Sequence, residues 1–227
     1  GGMDWLVQVA ENFLRKNPKR ITFYAPIVTF LMTLMAGTGH TAFSTLPIIA
    51  EVAKGQGVRP SRPLSIAVIA SQIAITASPI SAAVVAFSAM LAPVGVDYLT
   101  LLAVCIPTTF IACMIGAFVA NFMGRDLKDD PIYQQRLEQG LIKLASEEQR
   151  VLLPTAKRAT YIFLAAIAFV VCYAAAISNS VGLIENPALG RNEAIMTVML
   201  AAAAIIVLTT KIDANLIPAA STFRSGM

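Results

Sequence analysis

The sequence predicts an all-α, polytopic membrane protein, and three observations carry that reading. Hydrophobic residues make up 57% of the chain and charged residues 13%, about half the roughly 25% charged share of an ordinary soluble domain. Mean hydropathy is +0.71. The apolar residues fall in long unbroken runs, whereas a membrane barrel shows alternating segments of about ten residues. The same figures exclude disorder, which needs low hydrophobicity and high charge. They also exclude a soluble globule, because 17 basic and 13 acidic side chains cannot clothe so much Ala, Ile, Val and Leu.

The elements follow in order. In 3–16, Met3, Leu6, Ala10, Phe13 and Leu14 fall at helical spacing. Asp4 at the start and Arg15 and Lys16 at the end suit the helix dipole, and Asn17-Pro18 stops the helix. At about 1.5 Å per residue it is too short to span a bilayer, so 1–20 is expected to be an amphipathic interfacial helix. Residues 21–50 are apolar with a break at Ala36-Gly37-Thr38-Gly39-His40, and 51–62 are polar. Residues 64–92 are apolar with a second break at Thr76-Ala77-Ser78-Pro79-Ile80-Ser81, and 98–122 return with Pro107 inside. Within 51–122 this predicts a broken transmembrane helix and a return span. Residues 123–158 are the most hydrophilic part. Asp130-Pro131 reads there as a helix start and Ser146-Glu147-Glu148-Gln149 as a capping box. Two transmembrane helices are expected in 159–211, and 212–227 starts the next segment.

Basic residues set the topology. Four lie in 15–20, three in 51–62 and seven in 123–158, while 93–97 has none. Cytoplasmic loops carry the excess of Lys and Arg, so all three basic segments are expected on the cytoplasmic side. The stretch 21–50 then begins and ends on one side and reads as a re-entrant hairpin with Gly37–Gly39 at its tip. Arg15, Lys16, Lys19 and Arg20 serve that topology first and lipid contact second. Irregular backbone at membrane depth needs protein or a polar cavity around it, so a hairpin tip implies both.

The two breaks are the candidate site. At Gly37-Thr38-Gly39-His40-Thr41 the glycines permit a tight turn and close backbone approach. A half-helix starting there would aim free N–H groups at an anion, with Thr38, His40 and Thr41 adding donors. The alternative is a polar turn that satisfies its own backbone. At the second break Ser78 suits an N-cap and Pro79 the first helical position, and Ser81 follows. The alternative there is a proline kink with serine back-bonding, which is also the reading of Pro107. Two interrupted apolar segments, each with a Ser/Thr/Gly cluster at its break, point to a secondary-transporter site. Neither break offers a carboxylate, so the expected substrate is an anion. His40 is the single histidine of the chain. It could carry a proton or donate to a carboxylate, or be a neutral imidazole bonded to a carbonyl.

Other classes lack support. Cys105, Cys113 and Cys172 sit in apolar runs without a CxxC, so no disulfide or metal site is expected. No HExxH, P-loop, GxGxxG or GxSxG occurs, so neither an enzyme nor a cofactor is expected. The net charge of +4 comes without a basic stripe interleaved with aromatics, so nucleic acid is not an expected partner.

Several motifs in order resemble the anaerobic C4-dicarboxylate transporters of the Dcu type. They are Gly1-Gly2-Met3-Asp4, Arg15-Lys16-Asn17-Pro18, Gly37-Thr38-Gly39-His40 with Leu46-Pro47-Ile48-Ile49, and Ala77-Ser78-Pro79-Ile80-Ser81 with Ala83-Val84-Val85. Gly124-Arg125-Asp126-Leu127 and Phe223-Arg224-Ser225-Gly226-Met227 complete the set. The resemblance covers essentially the whole chain. It implies exchange of fumarate, malate or aspartate for succinate across the bacterial inner membrane. It also implies kinship with the ion-transporter superfamily that includes divalent anion–sodium symporters. That fold has two inverted repeats, each with a re-entrant hairpin and a broken helix, and this chain matches one repeat. The chain therefore resembles an internal fragment, whose partners are the lipid bilayer, the dicarboxylate, the remainder of the transporter and, through a scaffold to which 98–122 contributes, a homodimer mate. Carried over, the resemblance makes Thr38, Gly39, His40, Thr41, Ser78, Pro79 and Ser81 substrate-binding. Transport by this portion alone is not expected. The other readings are a sodium-coupled carrier of another organic anion and a non-transporting membrane subunit.

Overall fold

Acid early and base late, followed by Asn17-Pro18, end the first helix where the sequence predicts: α1 is Gly2–Lys16. The Asn17 side-chain amide donates to Phe13 O at 3.0 Å and occupies a carbonyl of the last turn. The computed structural model describes residues 2–124, 126–139, 155–177, 183–184 and 187–210. Among these residues every regular element is helical.

After a 3-10 turn at Pro18–Arg20, α2 (Ile21–Ala36) runs to the first break and α3 (Leu46–Gly55) runs back. At 16 residues α2 is about 24 Å long, short of the ~30 Å hydrocarbon core. Pro26 lies inside it, and one turn on Thr29 Oγ1 bonds Ala25 O at 3.1 Å and reaches Ala67 O of the next helix at 2.9 Å, tying α2 to its neighbour. The fold-back is closed at its base by Arg15, whose Nη1 lies 2.9 Å from Glu51 Oε1 and whose Nε lies 2.9 Å from Glu11 Oε1. The start of α2 and the end of α3 are therefore at one level. Two carboxylates hold the Arg15 guanidinium above its ordinary pKa, Glu51 foremost, with burial opposing and Glu11 adding. The apolar stripe of α1 lies along this hairpin. Val7, Ala10 and Leu14 are buried in one cluster with Ile21, Val28, Ile49 and Val52, while Val9 and Phe13 stay exposed.

The second apolar stretch is α4 (Ser61–Ile73), a 3-10 turn at Ala74–Ala77 and α5 (Ala82–Leu91). The two arms, Ser61–Ala77 and Ala82–Val94, bend by 42°. The α5 helix starts later than Ser78-Pro79 predicts. Ser81 is the N-cap, its Oγ accepting from Ala83 N at 3.2 Å, because Ser78 and Pro79 are bonded to other helices. A 3-10 turn and Gly95 lead to α6 (Tyr98–Asn121), which continues through Pro107 with Thr108 and Thr109 hydroxyls bonding back to Val104 O and Cys105 O. It packs closely on α4: a Cβ on Gly116 would lie 2.7 Å from Ile66 Cδ1.

Arg62 joins the start of α4 to the segment after α6. Its Nη1 meets Asp126 Oδ1 at 2.6 Å, and its other nitrogens donate to Met123 O and Gly124 O. Beyond lies α7 (Pro131–Glu138), capped by Asp130, which accepts from Ile132 N and Tyr133 N as the Asp-Pro pair predicts. The expected Ser146–Gln149 capping box and the segment 212–227 lie outside the described residues. The last two helices, α8 (Ala156–Ala176) and α9 (Arg191–Thr210), pair with each other.

Among the described residues, three helices are long and apolar enough to cross a membrane, Tyr98–Asn121, Ala156–Ala176 and Asn192–Thr210, and the bent α4–α5 pair makes a fourth if it is one span. Their outward faces are apolar, with Ile111, Ile115 and Phe118 on α6 and Met196, Leu200 and Leu208 on α9 all exposed. A bilayer supplies the apolar contact such faces need.

Candidate functional site

The hairpin tip begins with Gly37, whose N–H closes α2 on Thr33 O at 2.8 Å. Its φ of +71° lies in the left-handed region that favours glycine. Thr38 is extended and caps the 3-10 turn Gly39–Ser44, its Oγ1 accepting from His40 N at 3.4 Å. Thr41, buried, donates from Oγ1 to Thr38 O at 3.2 Å and lies 3.4 Å from Thr33 Oγ1. Pro47 sits in the first turn of α3, where its missing N–H costs nothing.

The tip and the second break touch. A Cβ on Gly37 would sit 3.0 Å from Ile80 Cγ1. Ser78 Oγ donates to Leu34 O at 2.7 Å, a carbonyl in the last turn of α2 that has no partner within the helix. The break is pinned in turn from α6, where the Tyr98 hydroxyl donates to Pro79 O. Ser78 and Ser81 are almost fully buried. The sequence thus separates by about 40 positions two segments that the fold makes neighbours.

On the other side of the tip is a cavity of about 490 Å³. Thr38, His40, Thr41 and Ser44 contribute its polar lining from the tip, and Thr160 from α8. Leu6, Phe163 and Ile206 close it with apolar groups. His40 is exposed, its ring 5.9 Å from that of Phe43. Trp5 and Tyr161, with rings 5.6 Å apart, hold α1 against α8 beside the cavity. Of the residues singled out from sequence, Thr38, His40 and Thr41 share this cavity. Gly39 faces the other way, toward Gln72, and Ser78, Pro79 and Ser81 brace the junction behind the tip without lining the cavity.

Three polar residues escaped the sequence reading. Ser44 closes the tip's 3-10 turn, a continuation that local sequence could have flagged. Thr160 opens an ordinary apolar run and carries no local signal. Gln72 is the one carboxamide in 64–92 and stands one turn before the break, which was a readable signal. It is exposed, and a Cβ on Gly39 would lie 2.6 Å from its Nε2. Its bond within the described residues is Nε2 to Ser71 Oγ at 3.4 Å.

The comparisons agree with the motifs. The family described as "Anaerobic c4-dicarboxylate membrane transporter" matches residues 1–227. The chain is 61% identical over its whole length to the "C4-dicarboxylate transporter DcuA" of Wolinella succinogenes, covering 52% of that protein. It is 48% identical to the DcuA of Escherichia coli K12, covering 53% of it. It is 36% identical to the "Anaerobic C4-dicarboxylate transporter DcuB" of another Escherichia coli strain, also covering 53%. The chain therefore spans about half the length of the curated relatives it matches. No solved structure matches. The family is one of transporters and not of enzymes, and the matches together with the apolar helices make this a multi-pass protein of the bacterial inner membrane. By a match that runs from its first residue to its last, the chain belongs to the DcuA/DcuB family of anaerobic C4-dicarboxylate membrane transporters.

Proposed function

We propose that the transporter containing this chain exchanges C4-dicarboxylates, taking up fumarate, malate or aspartate against succinate, and that this chain supplies one half of its site. The observation that carries the reading is the junction of the two breaks, where Ser78 Oγ donates to Leu34 O and Ile80 abuts Gly37. An irregular tip fastened to a bent helix is the arrangement secondary transporters use to expose backbone donors at membrane depth. The closure of the hairpin base by Arg15 and Glu51 supports a re-entrant path for 21–50. One carboxylate is bound on the cavity side of the tip by Thr38, His40 and Thr41, with Gly39 contributing its backbone alone. Ser78, Pro79 and Ser81 act behind them by holding the tip in place. No arginine or lysine belongs to this set, so the bound carboxylate meets dipoles and hydroxyls and binding stays weak enough for release. The second carboxylate is met by the remainder of the transporter, and a homodimer is the expected assembly.

The test is uptake of labelled fumarate into proteoliposomes holding the complete transporter. Uptake that needs internal succinate supports exchange. Uptake driven by a sodium gradient without internal succinate would replace exchange with a sodium-coupled carrier. No movement of any dicarboxylate would leave a non-transporting subunit. Gly39→Ala separates site from scaffold: its Cβ would meet only the flexible end of Gln72 and Ile75. It should lower transport while leaving the unfolding temperature nearly unchanged.

A further inference from the structure

Four basic residues crowd 15–20, and the structure divides them one against three. Arg15 is matched by Glu11 and Glu51. Lys16, Lys19 and Arg20 have no carboxylate partner among the described residues. The corner between α1 and α2 gathers these three around a concavity of about 330 Å³, with Tyr24 as its aromatic wall. The first turn of α2 opens on the same corner, and its N-cap, Arg20, makes no side-chain cap, so unmatched cations and the positive end of a helix coincide.

An apolar track leads to this corner. Val9, Phe13 and Lys16 stand at i, i+4 and i+7 on α1, one face of the helix. Val9 and Phe13 are 46% and 40% exposed. The Phe13 ring meets Tyr24 edge-on, with centroids 5.2 Å apart. Cations and an aromatic with a polar tip gather at the α1–α2 corner, and an exposed apolar stripe runs from it along α1. That order matches a phosphate group followed by acyl chains. The corner also lies at the hairpin base, whereas the tip cavity is lined by Leu6 near the opposite end of α1. It is therefore a separate place from the proposed substrate site.

We propose that the α1–α2 corner binds an anionic phospholipid, its phosphate held by Lys16, Lys19 and Arg20 and its chains lying along Phe13 and Val9. Each basic residue near an anionic membrane surface strengthens binding by about fivefold, so three together supply on the order of a hundredfold.

The test uses the complete transporter in phosphatidylcholine nanodiscs, titrated with labelled phosphatidylglycerol. The wild type should bind it, and the Lys16→Gln, Lys19→Gln, Arg20→Gln triple variant should bind it on the order of a hundredfold more weakly. Lys54→Gln, an exposed cation at the end of α3 outside the corner, should bind as the wild type does. The charge-conserving set Lys16→Arg, Lys19→Arg, Arg20→Lys should retain binding, which guards against a triple variant that merely inserts badly. Wild-type affinity should fall as salt rises. Equal binding by the triple variant, equal binding of phosphatidylcholine, or a salt-independent affinity would overturn the proposal. Displacement of the lipid by inorganic phosphate or succinate would replace it with a site for free anions.

Discussion

Replacing Gly37 by alanine tests the contact between the hairpin tip and the broken helix, and two costs can be separated. The first is conformational. Gly37 has φ +71°, and an L side chain in the left-handed region costs about 1–2 kcal/mol. The second is crowding. The added Cβ would lie 3.0 Å from Ile80 Cγ1 and 3.4 Å from the Ile80 carbonyl carbon, and overpacking of this kind costs about 1–3 kcal/mol. The sum is about 2–5 kcal/mol. Gly95 provides the reference. Its φ is +78°, and a Cβ there would meet nothing within 4 Å, so Gly95→Ala should carry the conformational cost alone, about 1–2 kcal/mol. Unfolding in detergent can be followed by thiol labelling of Cys113, which is 1% exposed and becomes reactive when α4 and α6 separate. A double-mutant cycle then isolates the crowding. Ile80→Ala removes Cγ1, so the Gly37→Ala, Ile80→Ala pair should be less unstable than the two single losses added together, by about 1 kcal/mol or more. If Gly37→Ala and Gly95→Ala cost the same and the cycle closes with no coupling, the tip does not rest on the break. The junction on which the functional reading stands would then fail with it.

Three further outcomes follow from the geometry. Arg62→Gln should destabilise the chain by about 2 kcal/mol while Asp126→Asn costs under about 1, because the Asp126 carboxylate is 51% exposed whereas Arg62 also holds two carbonyls just past the end of α6; unfolding midpoints of the two variants decide it. Arg15→Gln should cost about twice Glu51→Gln, since it leaves Glu11 and Glu51 facing each other without a cation. The raised Arg15 pKa means the guanidinium's contribution is fully present below its ordinary value and fades only as pH rises above it, so the Arg15→Gln difference should not vary across the pH range of a transport assay. His40→Ala should raise the KM for fumarate by about tenfold or more, the worth of a hydrogen bond to a charged group; uptake kinetics at the wild-type KM would remove that residue from the site.

Much of the helical layout was legible because bilayer solvent makes simple demands. Apolar runs must be helices, and charges must gather at their ends. The stop at Asn17-Pro18, the Asp130 cap and the passage of α6 through Pro107 all follow from local chemistry. The start of α5 did not. Ser78-Pro79 is as good a local start as Ser81, and the choice fell to Ser81 because Leu34 O and Tyr98, both remote in sequence, claim the polar groups at 78 and 79. The tip residues were readable as a set from their glycines and hydroxyls. Which of them face the cavity was not, because Thr38, His40 and Thr41 turn one way and Gly39 the other around a 3-10 turn whose path depends on Gln72 and Ile80.

By itself the sequence determined the membrane class, the two breaks and the family, since these depend on composition, periodicity and ordered motifs that need no third dimension. The tertiary structure alone decided that the breaks meet and that Arg15 reaches Glu51 while Lys16, Lys19 and Arg20 find no carboxylate among the described residues. The reason is that carbonyls and carboxylates at the ends of helices take partners by proximity. Leu34 meets Ser78 across 44 positions and Glu51 meets Arg15 across 36, without leaving any periodic trace in the chain.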